Sequence, residues 1–127
     1  MKKPHSRPVV WVGNSLEELR DFPPAVQREI GFALRRAQDG DRHPDAKPLK
    51  GFGGASVLEI VENHDGDTCR AVYTVRFADA VYVLHVFQKK SKKKIATPKH
   101  ELDLIRARLK EAERLHAERP REGGSHA

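Results

Sequence analysis

Between Lys89 and Lys94, five of six positions are lysine, with only Ser91 between them. A charge run standing alone reads as a solvated loop. This one leaves the end of an apolar, β-branched segment, so Lys89, Lys90, Lys92, Lys93 and Lys94 are displayed from a rigid strand end. Phosphates are the groups that neutralise such a field, and each contact releases counterions and makes binding salt-dependent. Upstream, Arg70 stands in a strand-like apolar pattern. A strand arginine reads either as half of an ion pair with a residue such as Glu59 or Glu62, or as a phosphate holder. Its guanidinium can grip two phosphate oxygens at once, which lysine cannot do. In-line attack on a phosphodiester loads charge onto the non-bridging oxygens, and a preorganised arginine stabilises that transition state more than the ground state.

The histidines divide. His85 shares a pleat face with Val83 and Phe87 and reads as a hydrogen-bonded core residue, with a general acid or base as the alternative. Four residues at about 3.3 Å each, about 13 Å in all, separate it from Lys89, too far for both to touch one phosphate. Lys99 and His100, in the first turn of the last expected helix, are better placed to reach the target of the lysine run, and His64 reads as a solvated turn residue. No pair of carboxylates stands out, and no His/Cys/Asp spacing suggests a metal, so no metal and no cofactor are expected. The single cysteine, Cys69, excludes an internal disulfide and reads as a buried, inert thiol. Gly51, Gly53 and Gly54 form a turn, not a phosphate loop.

The elements that must position these groups follow from periodicity. Val9–Val12 reads as a short strand. Ser15-Leu-Glu-Glu18 is a capping-box pattern that opens a short helix. Pro23 and Pro24 close it and open a second helix, whose stripe Val26, Ile30, Leu34 and Ala37 leaves Arg28, Arg35 and Arg36 on the wet side. A loop over 39–54 follows, then strands over 57–62, 69–77 and 81–88 in a meander, because short connections make antiparallel neighbours. Thr97 is the expected N-cap of the last helix and Pro98 its first residue, with Leu102, Ile105, Leu109 and Ala112 as the apolar stripe. The fold class expected is α+β: a small antiparallel or mixed sheet in the order β-α-α-β-β-β-α, helices packed on one face and the other face partly free. Residues 1–116 form one domain and 117–127 a disordered tail.

Composition agrees with a small, highly charged domain. Of 127 residues, 38% are hydrophobic and 33% charged, and 24 Lys and Arg against 18 Asp and Glu give a net charge of +6. A basic field speeds encounter with polyanions. No apolar run approaches the roughly 18 residues of a membrane span, and the N-terminus lacks the apolar stretch of a signal peptide, so a cytoplasmic protein without membrane partners is expected.

Three pieces of the chain carry a family resemblance: Lys47-Pro-Leu-Lys50-Gly, Arg70-Ala-Val-Tyr73, and the run from His85 through the lysines to Thr97-Pro98. The chain resembles the RelE/ParE superfamily of toxins from bacterial toxin–antitoxin modules, in particular its HigB-like, phage-derived branch, over roughly residues 9–112. The resemblance implies a RelE-like fold and a ribosome-associated mRNA endonuclease, silenced by a helix-turn-helix antitoxin. It implies that Arg70, Lys89 and Lys90 surround the scissile phosphate, while Lys47, Lys50, Lys92, Lys93, Lys94, Lys99 and His100 bind RNA around it. Two departures stand out: Lys94 replaces a glycine common in the branch, and no Tyr follows Tyr82, whereas some RelE-like enzymes place one after their last strand. A ParE-like inhibitor of DNA gyrase, which shares the fold and cuts nothing, and a non-toxic nucleic-acid-binding domain remain the alternatives.

Overall fold

The computed structural model describes residues 6–54, 56–89 and 97–119. Its elements are β1 (Val9–Trp11), α1 (Ser15–Arg20), α2 (Pro24–Gln38), β2 (Lys47–Pro48), β3 (Val57–His64), β4 (Asp67–Thr74), β5 (Val81–Lys89) and α3 (Lys99–Glu118). They form one five-stranded sheet in the order β1-β5-β4-β3-β2. The meander β3-β4-β5 is antiparallel, β1 joins β5 in parallel, and β2 pairs with β3 from within the stretch expected as loop.

Local chemistry sets the register. β3 and β4 meet at Asp65-Gly66, both with positive φ (50° and 86°), as a two-residue hairpin turn requires. Between β4 and β5 the ladder slips: Val72 faces His85 while Tyr73 faces Val83, so Leu84 is an extra residue. Such a bulge re-aims the side chains that follow it.

β4 from Thr68 to Thr74 and β5 from Val81 to Phe87 are buried without alternation, so the sheet has two apolar faces to cover. One face (Leu58, Ile60, Cys69, Ala71, Tyr73, Val83, Val86) packs on Leu19 and Phe22 and on the α2 stripe Val26, Ile30, Ala33, Leu34, Ala37. The expected packing of helices on one face thus describes α1 and α2. α3 lies on the other face, because Ile105 and Ala112, with Leu102 and Leu109, meet a second apolar set of Val57, Val72, Tyr82, Leu84 and Phe87.

Both expected caps are corrected. Asn14, not Ser15, is the N-cap of α1 and makes no side-chain cap bond; Ser15 is buried and its Oγ donates to the Val83 carbonyl at 3.3 Å. Pro98, not Thr97, caps α3, since the amides of Glu101 and Leu102 both bond the Pro98 carbonyl. The Thr97 hydroxyl is used elsewhere, as described below. α3 continues through Glu118, two residues into the expected tail; residues 120–127 lie outside the described ones. Among the described residues, no helix is long and apolar enough to cross a membrane.

Candidate functional site

On the α3 face the ladder arranges side chains in rows. Lys47, Glu59, Val72 and His85 are successive partners from β2 to β5. The next row holds Val61, Arg70 and Phe87, and the one beyond it Asn63, Thr68 and Lys89. Directly paired residues share a face, so Arg70 and Lys89 are diagonal neighbours on one side of the sheet.

Arg70 is 2% exposed. Its Nη1 donates to Thr97 Oγ1 at 3.2 Å and to Glu59 Oε2 at 3.4 Å, and Thr97 Oγ1 itself donates to that same carboxylate oxygen at 2.9 Å. A hydroxyl both accepts and donates, so Thr97 bridges cation and anion and ties the approach to α3 onto the sheet. The Glu59 side chain keeps 15% exposure, the open side of the group.

One row away, a second network fixes α3. His85 is buried against Phe87, with ring centroids 4.8 Å apart. Its Nε2 lies 2.6 Å from Glu101 Oε1, and its Nδ1 lies 3.3 Å from Arg108 Nη1. Arginine only donates, so Nδ1 accepts and the proton sits on Nε2, which donates to Glu101. Burial pushes the His85 pKa below the ordinary imidazole value, with help from the Arg108 charge, against the upward pull of the Glu101 bond and of Glu18. Arg108 also donates to the Leu84 carbonyl and to Asn14 Oδ1, which links β5, the α1 entry and α3 through one guanidinium. Its fit is close: a Cβ at Gly13 (φ +60°) would stand 2.7 Å from the guanidinium carbon. His85 is therefore the hydrogen-bonded core histidine expected.

The structure brings some of the expected cations together and not others. Arg70 and the half-buried Lys89 share the face, and Lys47 stands exposed at the outer end of the Glu59 row. Lys99 and His100 are exposed on the first turn of α3, Lys99 paired with Asp103 at 3.0 Å and His100 Nε2 at 3.4 Å from Glu101 Oε2. The positive end of the helix dipole adds potential there. Lys50 lies past Leu49, which bonds Val57 at the far end of β3, and is separate from this group. Lys90, Lys92, Lys93 and Lys94 lie outside the described residues.

Sequence reasoning missed Glu59 as a site residue, along with Thr97, Glu101 and Arg108. For Glu59 a signal existed: it alternates with Val57 and Val61, an acid on an apolar strand face. Together the face offers a buried arginine, a carboxylate able to take a proton, and lysines at the strand end and helix start.

With this geometry established, residues 17–110 match the family described as phage derived protein Gp49-like (DUF891). No curated protein sequence matches the chain. Among solved structures, the fold is similar to that of an arginine-to-alanine mutant of the E. coli toxin RelE in the free state, with a TM-score of 0.53 and 17% identity, covering 84% of this chain and 97% of that one. A chain of the toxin–antitoxin complex RelBE2 from Mycobacterium tuberculosis is similar at a TM-score of 0.42 and 18% identity, covering 72% of this chain and 100% of that one. The chain therefore belongs to the Gp49-like family of phage-derived proteins and is built on a RelE-like fold.

Proposed function

We propose that this protein is the toxin of a type II toxin–antitoxin module of the HigB-like kind. It acts in the cytoplasm as a metal-independent, ribosome-associated mRNA endonuclease and is neutralised by a helix-turn-helix antitoxin. The observation that carries this reading is the meeting of Arg70, Glu59 and Lys89 on one sheet face beside the start of α3. Cleavage of RNA by its own 2′-hydroxyl needs a base for that hydroxyl, cations for the developing charge and a proton for the leaving 5′-oxygen. Glu59 is the base, Arg70 holds the non-bridging oxygens, and Lys89 with Lys90 supplies charge and the proton. The products are a 2′,3′-cyclic phosphate and a 5′-hydroxyl. Lys47, Lys92, Lys93, Lys94, Lys99 and His100 bind the flanking phosphates, and Lys50, set apart from them, binds RNA farther along the strand. Because Arg70 is nearly enclosed, the incoming phosphate takes the place of the Thr97 hydroxyl on Nη1.

The same burial favours a second reading. Paired with Glu59, Arg70 serves as a purely structural residue in a ParE-like inhibitor of DNA gyrase without nuclease activity. Expression without the antitoxin separates the two. The endonuclease reading expects growth arrest with new 5′ ends inside translated mRNA, read by primer extension. Arrest with intact mRNA and blocked replication transfers the case to gyrase, and unimpaired growth removes the toxin reading altogether.

A further inference from the structure

The outer side of α2 carries a surface that the proposed reaction does not use. Phe32 is 58% exposed and is the exposed large hydrophobic residue among those described. It stands one turn from Arg28 and one turn from Arg36, with Arg35 beside it, so an aromatic ring sits within an exposed arginine stripe. Pro44 continues the apolar floor into a shallow groove that Glu29 and Asp45 also line. Preceding the ring is Gly31, inside the helix, where an added Cβ would meet nothing within 4 Å. A helix-interior glycine costs about 1 kcal/mol relative to alanine. No packing within the described residues requires it, and a bare backbone there admits close approach from outside.

From these observations we infer that the Arg28–Phe32–Arg36 stripe of α2 docks an acidic segment of a partner protein, with a bulky apolar side chain seated on Phe32 and carboxylates facing the arginines. An exposed aromatic flanked by arginines has the composition of an interface centre. A nucleic acid fits less well, because its backbone carries a charge at every phosphate and must pass Glu29 and Asp45, whereas a peptide can set neutral side chains against them and carboxylates only against the arginines. A second copy of this chain fits less well too, since two-fold apposition would set arginine against arginine. Under the function proposed above the occupant is the antitoxin, and that identification rests on that reading. α2 and Arg70 lie on opposite faces of the sheet, so a segment docked here leaves Arg70 uncovered.

The test uses the full chain, isotope-labelled and made in a cell-free system. It is titrated with a short synthetic helix carrying leucines one turn apart among glutamates, with the same helix bearing lysines for glutamates, and with a single-stranded RNA oligonucleotide. The acidic helix is expected to shift the amide resonances of Arg28, Gly31, Phe32 and Arg36, and Phe32→Ser to weaken its binding at least about tenfold, as loss of an interface aromatic does. Arg36→Glu, an exposed change that leaves the core untouched, should weaken it comparably and reduce its salt dependence, with Arg28 and Arg35 still in place. The inference is overturned if the acidic helix moves none of these resonances, if the RNA or the lysine helix moves them equally, or if sedimentation finds a dimer that Phe32→Ser dissolves. Binding of the acidic helix while cellular mRNA stays uncut would leave the surface standing and remove the nuclease. Cut mRNA with no binding would remove the surface alone.

Discussion

Removing Arg70 should cost stability and activity by separable amounts. Arg70→Ala leaves the Glu59 carboxylate, 15% exposed, with the Thr97 hydroxyl as its remaining side-chain donor among the described residues. Breaking a fully buried ion pair costs roughly 3–5 kcal/mol, whereas exposed pairs contribute at most about 1 kcal/mol. With one partner 3% and the other 15% exposed, and a separation of 3.4 Å, a cost of about 2–3 kcal/mol is expected. For a chain of this size that lowers Tm by about 7–11 °C. The double variant Arg70→Met/Glu59→Leu removes both charges and should recover most of that loss, because an apolar pair leaves no uncompensated ion. Activity should not recover: losing a preorganised donor to the reacting phosphate costs on the order of 10²–10³ in rate. Thermal unfolding by circular dichroism gives the first quantity. Primer extension on mRNA in a translation extract, held well below each variant's Tm, gives the second. If the double variant regains both Tm and cleavage, Arg70 and Glu59 are structural and the reaction lies elsewhere.

Four other outcomes are expected. His85 ionises near its ordinary value when unfolded but stays neutral to lower pH when buried, so the unfolded chain binds the proton first. Stability should therefore be full above about pH 6.5 and fall as pH drops toward the depressed value; urea midpoints across this range should fall in the wild type and flatten in His85→Gln. Gly13→Ala combines a positive φ with a contact on the Arg108 guanidinium and should destabilise by more than about 1 kcal/mol, visible as a lower urea midpoint. Tyr73 has its pKa pushed up to about 12 by burial, and its hydroxyl finds no partner among the described residues, so Tyr73→Phe should raise the urea midpoint by about 1 kcal/mol of stability. Glu62 is held above the usual carboxylate range by burial and by Glu29 and Asp45. Its ionised form thus weakens the fold at neutral pH, and Glu62→Gln should raise Tm at pH 7 with the gain vanishing as pH falls below the ordinary value.

The sequence alone determined what local physics controls. The stripe of α2 and that of α3 are written at helical spacing, and Asp65-Gly66 occupies the turn that its backbone permits. The lysine run and Arg70 were legible as candidate phosphate ligands because their chemistry is intrinsic to the residue types. The unbroken burial of β4 and β5 was not legible in this way: the sequence pointed to one covered face and one partly free, and only the docked α3 covers the second. The rest was decided by long-range pairing. Glu59, Arg70 and Thr97 stand far apart in the chain and meet because the β3–β4 register sets Val61 opposite Arg70 while the start of α3 returns over that row. The bulge at Val72/Tyr73 likewise places His85 in the row of Glu59, where α3 supplies Glu101 and Arg108 to either side of its ring. Side-chain ionisation and burial depend on which residues surround a group in space. A strand arginine thus has the same sequence signature whether it faces water or, as here, a carboxylate and a hydroxyl within the fold.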